Sequence, residues 1–454
     1  MKRKNKWISL MLGMLCLFQI NVIPVQAEEY WPEGPQTLGE SIIVMEASTG
    51  TILYEKNSHQ QSYPASITKI MTSLLAIENS NMDEEVVFSK NAVYRTEGSG
   101  ISRDVDEVMT MEECLYGLML ESANECGYAI AEHVGESYED FINMMNQKAE
   151  ELGCKDTHFN NPHGLPDENH WTSAHDMALI AKEALKNDLF RMIVSTRRHK
   201  IPPTNKHEEE TYLSNHHKML NDYKGDKQYL YDYCIGGKTG YTSVAGSTLA
   251  TFAEKDGMTL ICVVMREQAP NHYLDTRNLF DYCFENFQLW NVAENEKSYE
   301  QNVKENKIFE NEESLLGLNK EGCIVLPKAA VFTDAVPKVK EVKNSDDIIG
   351  RIQYTYADRI VGGTDIEITD AKISEFQFQE EIEGGKKDSK KKVVKVDIKY
   401  VVLGILGVIL LAGIGFGIYH FVDNFYLIKY KIECRRQNRM NFRDIKFKKK
   451  KDRK

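Results

Sequence analysis

The chain carries little positive charge outside its two ends. It has 454 residues, with 56 Lys and Arg against 68 Asp and Glu, and a net charge of −12. Leaving out residues 1–27, which carry +4, and residues 422–454, which carry +9, gives −25 for residues 28–421. A protein that binds nucleic acid needs a basic face for the phosphates. We therefore expect no nucleic acid among its partners.

Cysteines with metal-ligand spacing are also missing. The nine cysteines form no C-x-x-C string and no Cys/His cluster with the spacing of a zinc site. We expect neither a metal nor an organic cofactor. Mostly apolar neighbours predict small buried thiols for the seven cysteines of residues 28–421, which are Cys114, Cys126, Cys154, Cys234, Cys262, Cys283 and Cys323. An exported chain can oxidise its thiols, so one or two disulfides are an alternative.

The N-terminus combines positive charge with only a short apolar run. Four basic residues lie among the first six, residues 8–18 are mostly apolar, and Val25-Gln26-Ala27 resembles a signal-peptidase site. Residues 1–27 are therefore predicted to be a cleaved signal peptide, which makes this an exported chain. An uncleaved membrane anchor is the alternative, although the run is short for a helix that spans a bilayer.

Charge is absent from one long stretch near the C-terminus. Residues 400–422 contain no Asp, Glu, Lys or Arg, which predicts a single transmembrane helix, with a buried core helix as the alternative. Residues 384–399 before it are predicted to be a basic linker. Residues 423–454 are predicted to be a basic cytoplasmic tail that faces anionic membrane lipid. The preceding domains would then lie outside the cell membrane.

Between these ends the sequence predicts two folded units. Residues 36–296 have strand patterns at both ends and a helical middle, which predicts one α+β domain with an antiparallel sheet. Alternating apolar residues around 350–356 and 365–369 predict a small β-rich domain over residues 298–383. Strands are expected at 41–46, 51–55, 247–252 and 258–265, and helices from Ser66, over 111–133 with a break at 122–124, from Thr172 and over 274–287.

One short string pairs a nucleophile with a base. Ser66 and Lys69 are three residues apart on a predicted helix, so their side chains face the same way. A serine hydroxyl needs a neighbouring base, and a lysine can act as one if burial and a second cation lower its pKa. Lys238 can supply that cation. Taken alone, the string also fits an ordinary helix start with a solvated lysine.

Two other strings carry groups that can bind a substrate. Ser122-Ala123-Asn124 places short polar side chains at a helix break, where their simplest role is capping. Lys238-Thr239-Gly240 lies on a predicted edge strand. There a cation and a hydroxyl can hold a carboxylate, and a glycine lets a peptide approach and pair with the strand.

In this order, S-x-x-K, S-x-N and K-T-G resemble the site of the penicillin-interacting serine acyl-transfer enzymes. The chain resembles in particular the D-alanyl-D-alanine carboxypeptidases, which are low-molecular-weight penicillin-binding proteins. The longer strings over residues 64–72 and 237–242 are similar to the family's extended forms. The resemblance covers about residues 36–296 and implies a penicillin-binding/β-lactamase-like domain.

The resemblance also implies a role for each residue of the strings. Ser66 corresponds to the nucleophile, Lys69 to its base and Ser122 to a proton relay. Backbone N–H groups of Ser66 and Tyr241 correspond to an oxyanion hole. Substrate binding is implied for Asn124, Lys238, Thr239, Gly240, Tyr241 and His272.

His272 is the one marked departure from the family pattern. An arginine that helps to hold the substrate's terminal carboxylate often stands at this position, ahead of an Asp-Thr-x-x-Leu string. A histidine loses its charge near its ordinary pKa of ~6.5. We therefore expect carboxylate binding that is weaker or depends on pH, unless Arg266 takes the arginine's place.

A fourth string, over residues 161–167, is similar to a loop that lines the family's cleft. We interpret its His163 as a structural histidine. Class A β-lactamases carry a Glu on a loop in this region, within an E-x-x-x-N string, to activate the deacylating water. That string is absent here, which disfavours lactam hydrolysis as the main activity.

The sequence therefore predicts a serine-type carboxypeptidase that removes the terminal D-alanine from peptidoglycan stem pentapeptides and is acylated by β-lactams. One alternative is a DD-endopeptidase that cuts peptide cross-links with the same residues. Another is a non-catalytic receptor for cell-wall fragments or β-lactams that signals through the basic tail.

Overall fold

The computed structural model describes residues 30–296, 316–342 and 348–368. The predicted signal peptide, basic linker, transmembrane helix and basic tail lie outside these residues. Within the described ranges, no helix is both long enough and apolar enough to cross a bilayer.

The helices and strands follow in chain order. The strands are β1 Ser41–Glu46, β2 Ile52–Lys56, β3 Glu85–Val87, β4 Val108–Thr110, β5 Arg198–Ile201, β6 Thr211–Ser214, β7 Cys234–Thr242, β8 Gly246–Lys255, β9 Met258–Glu267, β10 Phe287–Asn291, β11 Leu316–Leu318, β12 Cys323–Pro327, β13 Val336–Glu341, β14 Ile348–Tyr356 and β15 Arg359–Ile368. The helices are α1 Lys69–Asn79, α2 Lys90–Tyr94, α3 Met111–Leu120, α4 Asn124–Val134, α5 Tyr138–Glu151, α6 Ala174–Ala184, α7 Asp188–Ser195, α8 Asn271–Asn286 and α9 Val292–Asn295.

A five-stranded antiparallel sheet with the order β2-β1-β9-β8-β7 forms the centre of residues 30–296. The side chains of successive residues in a β-strand point to opposite faces of the sheet, and β1 follows this rule. Ile43 and Met45 accordingly lie in the core on the face covered by helices α1 to α7. Ile42 and Val44 lie in the core on the opposite face, beneath α8. The predicted α+β fold with an antiparallel sheet is confirmed.

The helical middle covers one face of this sheet. Helix α6 packs on β1, β9 and α1, and α4 packs on both α1 and α3. Local signals set the helix starts: Ser173 Oγ accepts a hydrogen bond from the Asp176 N–H at 3.1 Å, and Thr110 and Glu113 form a capping box at α3. Helix α7 packs against β7, the strand that carries Lys238.

A second sheet has the order β10-β12-β15-β14-β13, and β11 also pairs with β15. Its core includes Ile324, Leu326, Tyr354 and Val361. The sheet begins at β10, directly after α8, and therefore earlier than the predicted boundary between residues 296 and 298. The early start arises because β10 pairs with β12 along its whole length, a long-range contact that local patterns do not reveal.

The seven cysteines of the described ranges are free thiols, and five of them are buried. This agrees with their interpretation as small apolar side chains rather than disulfide partners.

Candidate active site

Ser66 lies in a short 3-10 turn, Ala65–Thr68, that leads directly into α1. Ala65 has a positive φ of 52°, a conformation that L-residues rarely adopt. The carbonyl of Pro64 accepts a hydrogen bond from Thr248 Oγ1 at 2.8 Å. Strand β8 therefore fixes the start of the turn, and Ser66 is held between the sheet and the helices.

Lys69 is the first residue of α1 and is completely buried. Its Nζ donates to Ser66 Oγ at 3.0 Å, to Asn124 Oδ1 at 2.7 Å and to the carbonyl of His163 at 2.6 Å. Burial, followed by the charge of Lys238, holds the pKa of Lys69 well below its usual range. A lysine with a depressed pKa has a neutral fraction near pH 7 that can accept a proton from the adjacent hydroxyl.

Lys238 is the second buried cation of the site, with 2% of its surface exposed. Burial lowers its pKa to about 7, against the opposing effect of the Glu121 carboxylate. Its Nζ donates to the carbonyl of Thr239 at 2.9 Å. Burial and a second cation are the two conditions expected from the sequence for a lowered pKa of Lys69, and the structure provides both.

Ser122 and Asn124 lie where α3 ends and α4 begins. Ser122 is buried and has a positive φ of 62°. Asn124 is the first residue of α4, and the N-cap position before it is occupied by Ala123, which has no side-chain capping hydrogen bond. The Oδ1 of Asn124 accepts from Lys69, and its Nδ2 donates to the carbonyl of Glu97 at 2.5 Å. The helix break thus brings the amide of Asn124 to the buried lysine.

Strand β7 is the edge of its sheet and passes close to the Ser66 turn. A Cβ on Gly240 would lie 2.8 Å from the Ser66 nitrogen and 2.3 Å from Thr248 Oγ1, so only glycine fits there. The next residue, Tyr241, has 71% of its surface exposed. The close approach places the backbone of β7 beside that of Ser66.

The loop over residues 161–165 covers Lys69 from the other side. Asn161 Oδ1 accepts from the Gly164 N–H at 2.7 Å, which ties the loop to itself. A Cβ on Gly164 would lie 1.8 Å from the Ala65 carbonyl oxygen, and φ at this residue is +88°. His163 contributes its carbonyl to Lys69, in keeping with a structural rather than a catalytic histidine.

His170 and its contact with the Ser66 turn were not predicted from the sequence. The Asn160 N–H donates to His170 Nδ1 at 2.9 Å, so the proton of this neutral ring is on Nε2 and is donated to Thr68 Oγ1, also at 2.9 Å. Burial lowers the pKa of His170 to about 3. No pattern in the sequence connects residue 170 with residue 68, because their contact depends on how the loop folds back.

Glu125 is a second supporting residue that the strings did not reveal. Its Oε1 accepts hydrogen bonds from the backbone N–H groups of Ile101 at 2.6 Å and Ser102 at 3.0 Å. These contacts fix the start of α4, where Asn124 stands.

His272 lies in the first turn of α8, and 6% of its surface is exposed. Burial, followed by the charge of Lys218, lowers its pKa to about 4. Its Nδ1 has no hydrogen-bond partner in the described part of the chain. In the free protein the ring is therefore neutral at pH 7, without the positive charge of the family's arginine.

Arg266, the alternative for that arginine, lies at the end of β9. It lines a surface groove together with Val244 and Ala245, which follow the far end of β7. Lys238 and Thr239 lie in the middle of β7, which is two strands away from the β9 strand of Arg266 in the sheet order. The position of Arg266 is therefore unfavourable for holding a carboxylate jointly with Lys238 and Thr239.

Taken together, the site contains a hydroxyl, a buried amine with a depressed pKa, a second buried amine and an accessible strand edge. No group of three or more metal-binding side chains lies in the described ranges. An arrangement of this kind suits acyl transfer through a serine ester. The fold and the site together define a serine acyl-transfer enzyme of the penicillin-binding type.

The comparisons with known proteins agree with this class. The family model of D-alanyl-D-alanine carboxypeptidase matches residues 28–269. The D-alanyl-D-alanine carboxypeptidase DacF of Bacillus subtilis is 33% identical over 321 residues, covering 69% of this chain and 78% of the relative. DacA of Haemophilus influenzae is 27% identical over 358 residues, covering 74% of this chain and 85% of the relative.

Solved structures give the same result. The DD-transpeptidase of Streptomyces K15 is similar with a TM-score of 0.52 and 28% identity, over 56% of this chain and 100% of that structure. The chain therefore belongs to the D-alanyl-D-alanine carboxypeptidase family of serine hydrolases.

Proposed function

We propose that Ser66 carries the acyl group when this carboxypeptidase removes the terminal D-alanine from peptidoglycan stem pentapeptides. The observation that carries the proposal is the 3.0 Å hydrogen bond between Lys69 Nζ and Ser66 Oγ. The burial that depresses the pKa of Lys69 makes this amine a base near neutral pH.

The reaction then proceeds in two steps. Ser66 Oγ attacks the carbonyl carbon of the penultimate D-alanine as Lys69 takes the hydroxyl proton, and the N–H groups of Ser66 and Tyr241 hold the oxyanion. The C–N bond breaks, and the departing amine of D-alanine receives a proton through Ser122. Water next attacks the serine ester, which releases the shortened stem peptide and restores the hydroxyl.

Substrate binding is assigned to β7 and to the start of α4. Lys238 and Thr239 would hold the terminal carboxylate, and Gly240 would let the peptide pair with the strand. Asn124 would bind the amide of the acyl part. A β-lactam would open onto Ser66 and stay as a slowly hydrolysed ester. The burial that lowers the pKa of His272 argues against a charged contact, so we assign no carboxylate contact to it.

We further propose that the enzyme acts at the outer face of the cell membrane. Residues 1–27 would direct export, the uncharged residues 400–422 would anchor the chain, and the basic residues 423–454 would lie against cytoplasmic lipid. The β-rich domain would act as a spacer that holds the active site away from the membrane.

Substitution of the serine tests the central assignment. Ser66→Ala should abolish covalent labelling by a fluorescent penicillin and the release of D-alanine from an acyl-D-Ala-D-Ala peptide. Ser73→Ala is a matched control, because Ser73 is a buried serine of α1 whose Oγ has no partner in the described part of the chain. Stable labelling of the Ser66→Ala protein at another residue would refute the assignment. Digestion of cross-linked muropeptides in parallel separates carboxypeptidase from endopeptidase products.

A further inference from the structure

Glu121 lies directly after α3 and directly before Ser122, at the helix break that brings Ser122 and Asn124 into the site. A carboxylate at the C-terminal end of a helix is unfavourable, because the helix dipole is negative there. Glu121 is nevertheless largely buried, with 22% of its side chain exposed. The stability of α3 therefore does not explain this residue, and its contacts suggest another role.

Both carboxylate oxygens of Glu121 hold the segment over residues 214–216. Oε1 accepts a hydrogen bond from the Ser214 N–H at 2.6 Å, and Oε2 lies 2.7 Å from His216 Nε2. The His216 N–H in turn donates to the carbonyl of Leu120 at 3.3 Å. These hydrogen bonds join the end of α3 to a segment that is distant in sequence.

The next residue of this segment, His217, lies against the strand that carries Lys238. His217 is buried, and its Nε2 lies 2.9 Å from Thr251 Oγ1. Thr251 pairs with Gly237 across β7 and β8. A Cβ on Gly237 would lie 2.7 Å from His217 Nε2, so a glycine is needed for this contact. The segment therefore connects the end of α3 with the backbone next to Lys238.

Lys238 needs a negative charge nearby if it is to remain an ammonium. It is buried, and its Nζ donates to the carbonyl of Thr239, which is a neutral acceptor. Burial without an opposite charge favours the neutral amine. Burial lowers the pKa of Lys238 to about 7, and the charge of Glu121 acts in the opposite direction.

The carboxylate that acts on Lys69 is a different one. Burial and the charge of Lys238 lower the pKa of Lys69, whereas the charge of Glu125 raises it. Glu121 and Glu125 stand on either side of the Ser122-Ala123-Asn124 string. Each buried lysine therefore has its own carboxylate, and the charge state of Lys238 can be changed without a direct effect on Lys69.

Glu121 is itself ionised near neutral pH. Burial alone would raise its pKa, but hydrogen bonds from His216 and from the Ser214 N–H, together with the charges of His216 and Lys224, hold this pKa below its ordinary value. The Tyr223 ring packs on the His216 ring at a centroid distance of 4.3 Å and keeps the imidazole in place. The carboxylate is therefore charged in the pH range in which Lys238 titrates.

We propose that Glu121 is a positioning residue for Lys238. Its carboxylate ties residues 214–217 to the end of α3, and its charge keeps the Lys238 amine protonated, so that the amine can hold the carboxylate of the substrate. Glu121 acts through Lys238 and does not touch the substrate itself. This inference rests on the proposed function, in which Lys238 binds a carboxylate.

Glu121→Gln tests the role of the charge, because it removes the charge and keeps the size of the side chain. The alkaline decline of kcat/KM for D-alanine release should move down by about one pH unit, which is about a tenfold loss at pH 8 and less than about twofold at pH 6. The decline at low pH, which reports Lys69, should stay in place. Purified full-length protein and one acyl-D-Ala-D-Ala peptide give the whole profile. An alkaline decline that does not move would overturn the proposal.

Two further variants separate the charge from other effects. Glu121→Asp keeps the charge but shortens the reach to Ser214 and His216, so the maximum of kcat/KM should fall while the alkaline decline stays at its wild-type pH. Glu210→Gln is the matched control, because Glu210 is an exposed carboxylate between β5 and β6 that pairs with Lys200. It should leave the profile unchanged. An equal shift in Glu210→Gln, or in Glu121→Asp, would contradict a specific role for the charge of Glu121.

The Lys238→Arg background shows through which residue Glu121 acts. A guanidinium keeps its charge without a neighbouring carboxylate. When Glu121→Gln is added to Lys238→Arg, kcat/KM should therefore show no new decline between pH 7 and 9. A decline that appears in this background would mean that Glu121 acts on another group, and the proposal would be wrong.

Acylation by penicillin separates failure of this inference from failure of the proposed function. A penicillin also presents a carboxylate to Lys238, so the pH profile of its acylation rate should show the same shift in Glu121→Gln. If no peptide releases D-alanine but the acylation profile shifts, the carboxypeptidase assignment fails and the role of Glu121 stands. If D-alanine is released and neither profile shifts, only the role of Glu121 fails.

Discussion

Lys69 and Lys238 are buried lysines with opposite requirements for charge. In the proposed mechanism, Lys69 must be neutral to accept the hydroxyl proton, whereas Lys238 must be charged to hold a carboxylate. Burial lowers both pKa values, and the charge of Lys238 lowers that of Lys69 further. A neutral Lys69 and a charged Lys238 therefore occur together only within a limited pH range.

This window predicts a bell-shaped pH profile of kcat/KM for D-alanine release. The rate should fall at low pH as Lys69 becomes protonated, and above about pH 7 as free Lys238 loses its charge. The profile of kcat should extend further to the alkaline side, because a bound carboxylate raises the pKa of Lys238. Both profiles can be measured with one peptide.

Lys238→Arg tests whether loss of the Lys238 charge causes the decline of kcat/KM at high pH, because a guanidinium keeps its charge there. In this variant kcat/KM should no longer decline between pH 7 and 9. An unchanged alkaline limb would show that another group causes it.

The ordinary pKa of a histidine suggests that His272 makes D-alanine release depend on pH near neutrality, whereas its buried position predicts no such dependence. Since burial lowers its pKa to about 4, the residue has no charge to lose between pH 6 and 8. His272→Phe should therefore leave the pH profile of D-alanine release unchanged in this range and alter KM by less than about twofold. A difference between variant and wild type that titrates near pH 6.5 would restore the charged role expected from the sequence.

At the level of elements, the site depends on the packing of the 161–165 loop against the Ser66 turn. Gly164 makes this contact possible, since a Cβ would lie 1.8 Å from the Ala65 carbonyl oxygen. Gly153 also has a positive φ, of 80°, but its Cβ would meet nothing within 4 Å. The two glycines therefore separate the effect of the backbone conformation from that of the close approach.

We predict that Gly164→Ala loses roughly 2 kcal/mol or more of unfolding free energy and acylates slowly with penicillin. Gly153→Ala should cost only about 1 kcal/mol and acylate normally. Urea unfolding measures the unfolding free energy of each variant, and the rate of acylation by penicillin measures the effect on the site. Similar behaviour of the two variants would mean that the loop can move away from the turn.

Some helices and strands could be predicted from the sequence, whereas the 3-10 turn at Ser66 could not. The hairpin of β1 and β2, the helix break at Ser122 and the start of α6 were predicted because turn and capping residues are local signals. The 3-10 turn at Ser66 was predicted as ordinary helix. Its geometry depends on Thr248 and Gly164, which are distant in sequence and reach the turn only in the folded chain.

At the scale of the whole molecule, the acidic residues 28–421 and the basic residues 422–454 suit opposite sides of a membrane. We predict that the full chain sediments with membranes and that a chain ending at Lys399 appears in the soluble extracellular or periplasmic fraction. Penicillin labelling of both fractions is the measurement. A truncated chain that still sediments with membranes would show that residues 400–422 are not the anchor.

The sequence by itself indicated the family and predicted the nucleophile, because the chemistry requires particular residue types at short spacings. The tertiary structure alone decided which of these side chains meet. The hydrogen bonds of Lys69 to Asn124 and to the His163 carbonyl join residues 55 and 94 positions apart. Only the structure showed that His272 is buried with a lowered pKa, and that Arg266 lines a groove beside the turn between β7 and β8. A pKa and a side-chain direction depend on the surrounding atoms, and those atoms come from the whole fold rather than from neighbouring residues.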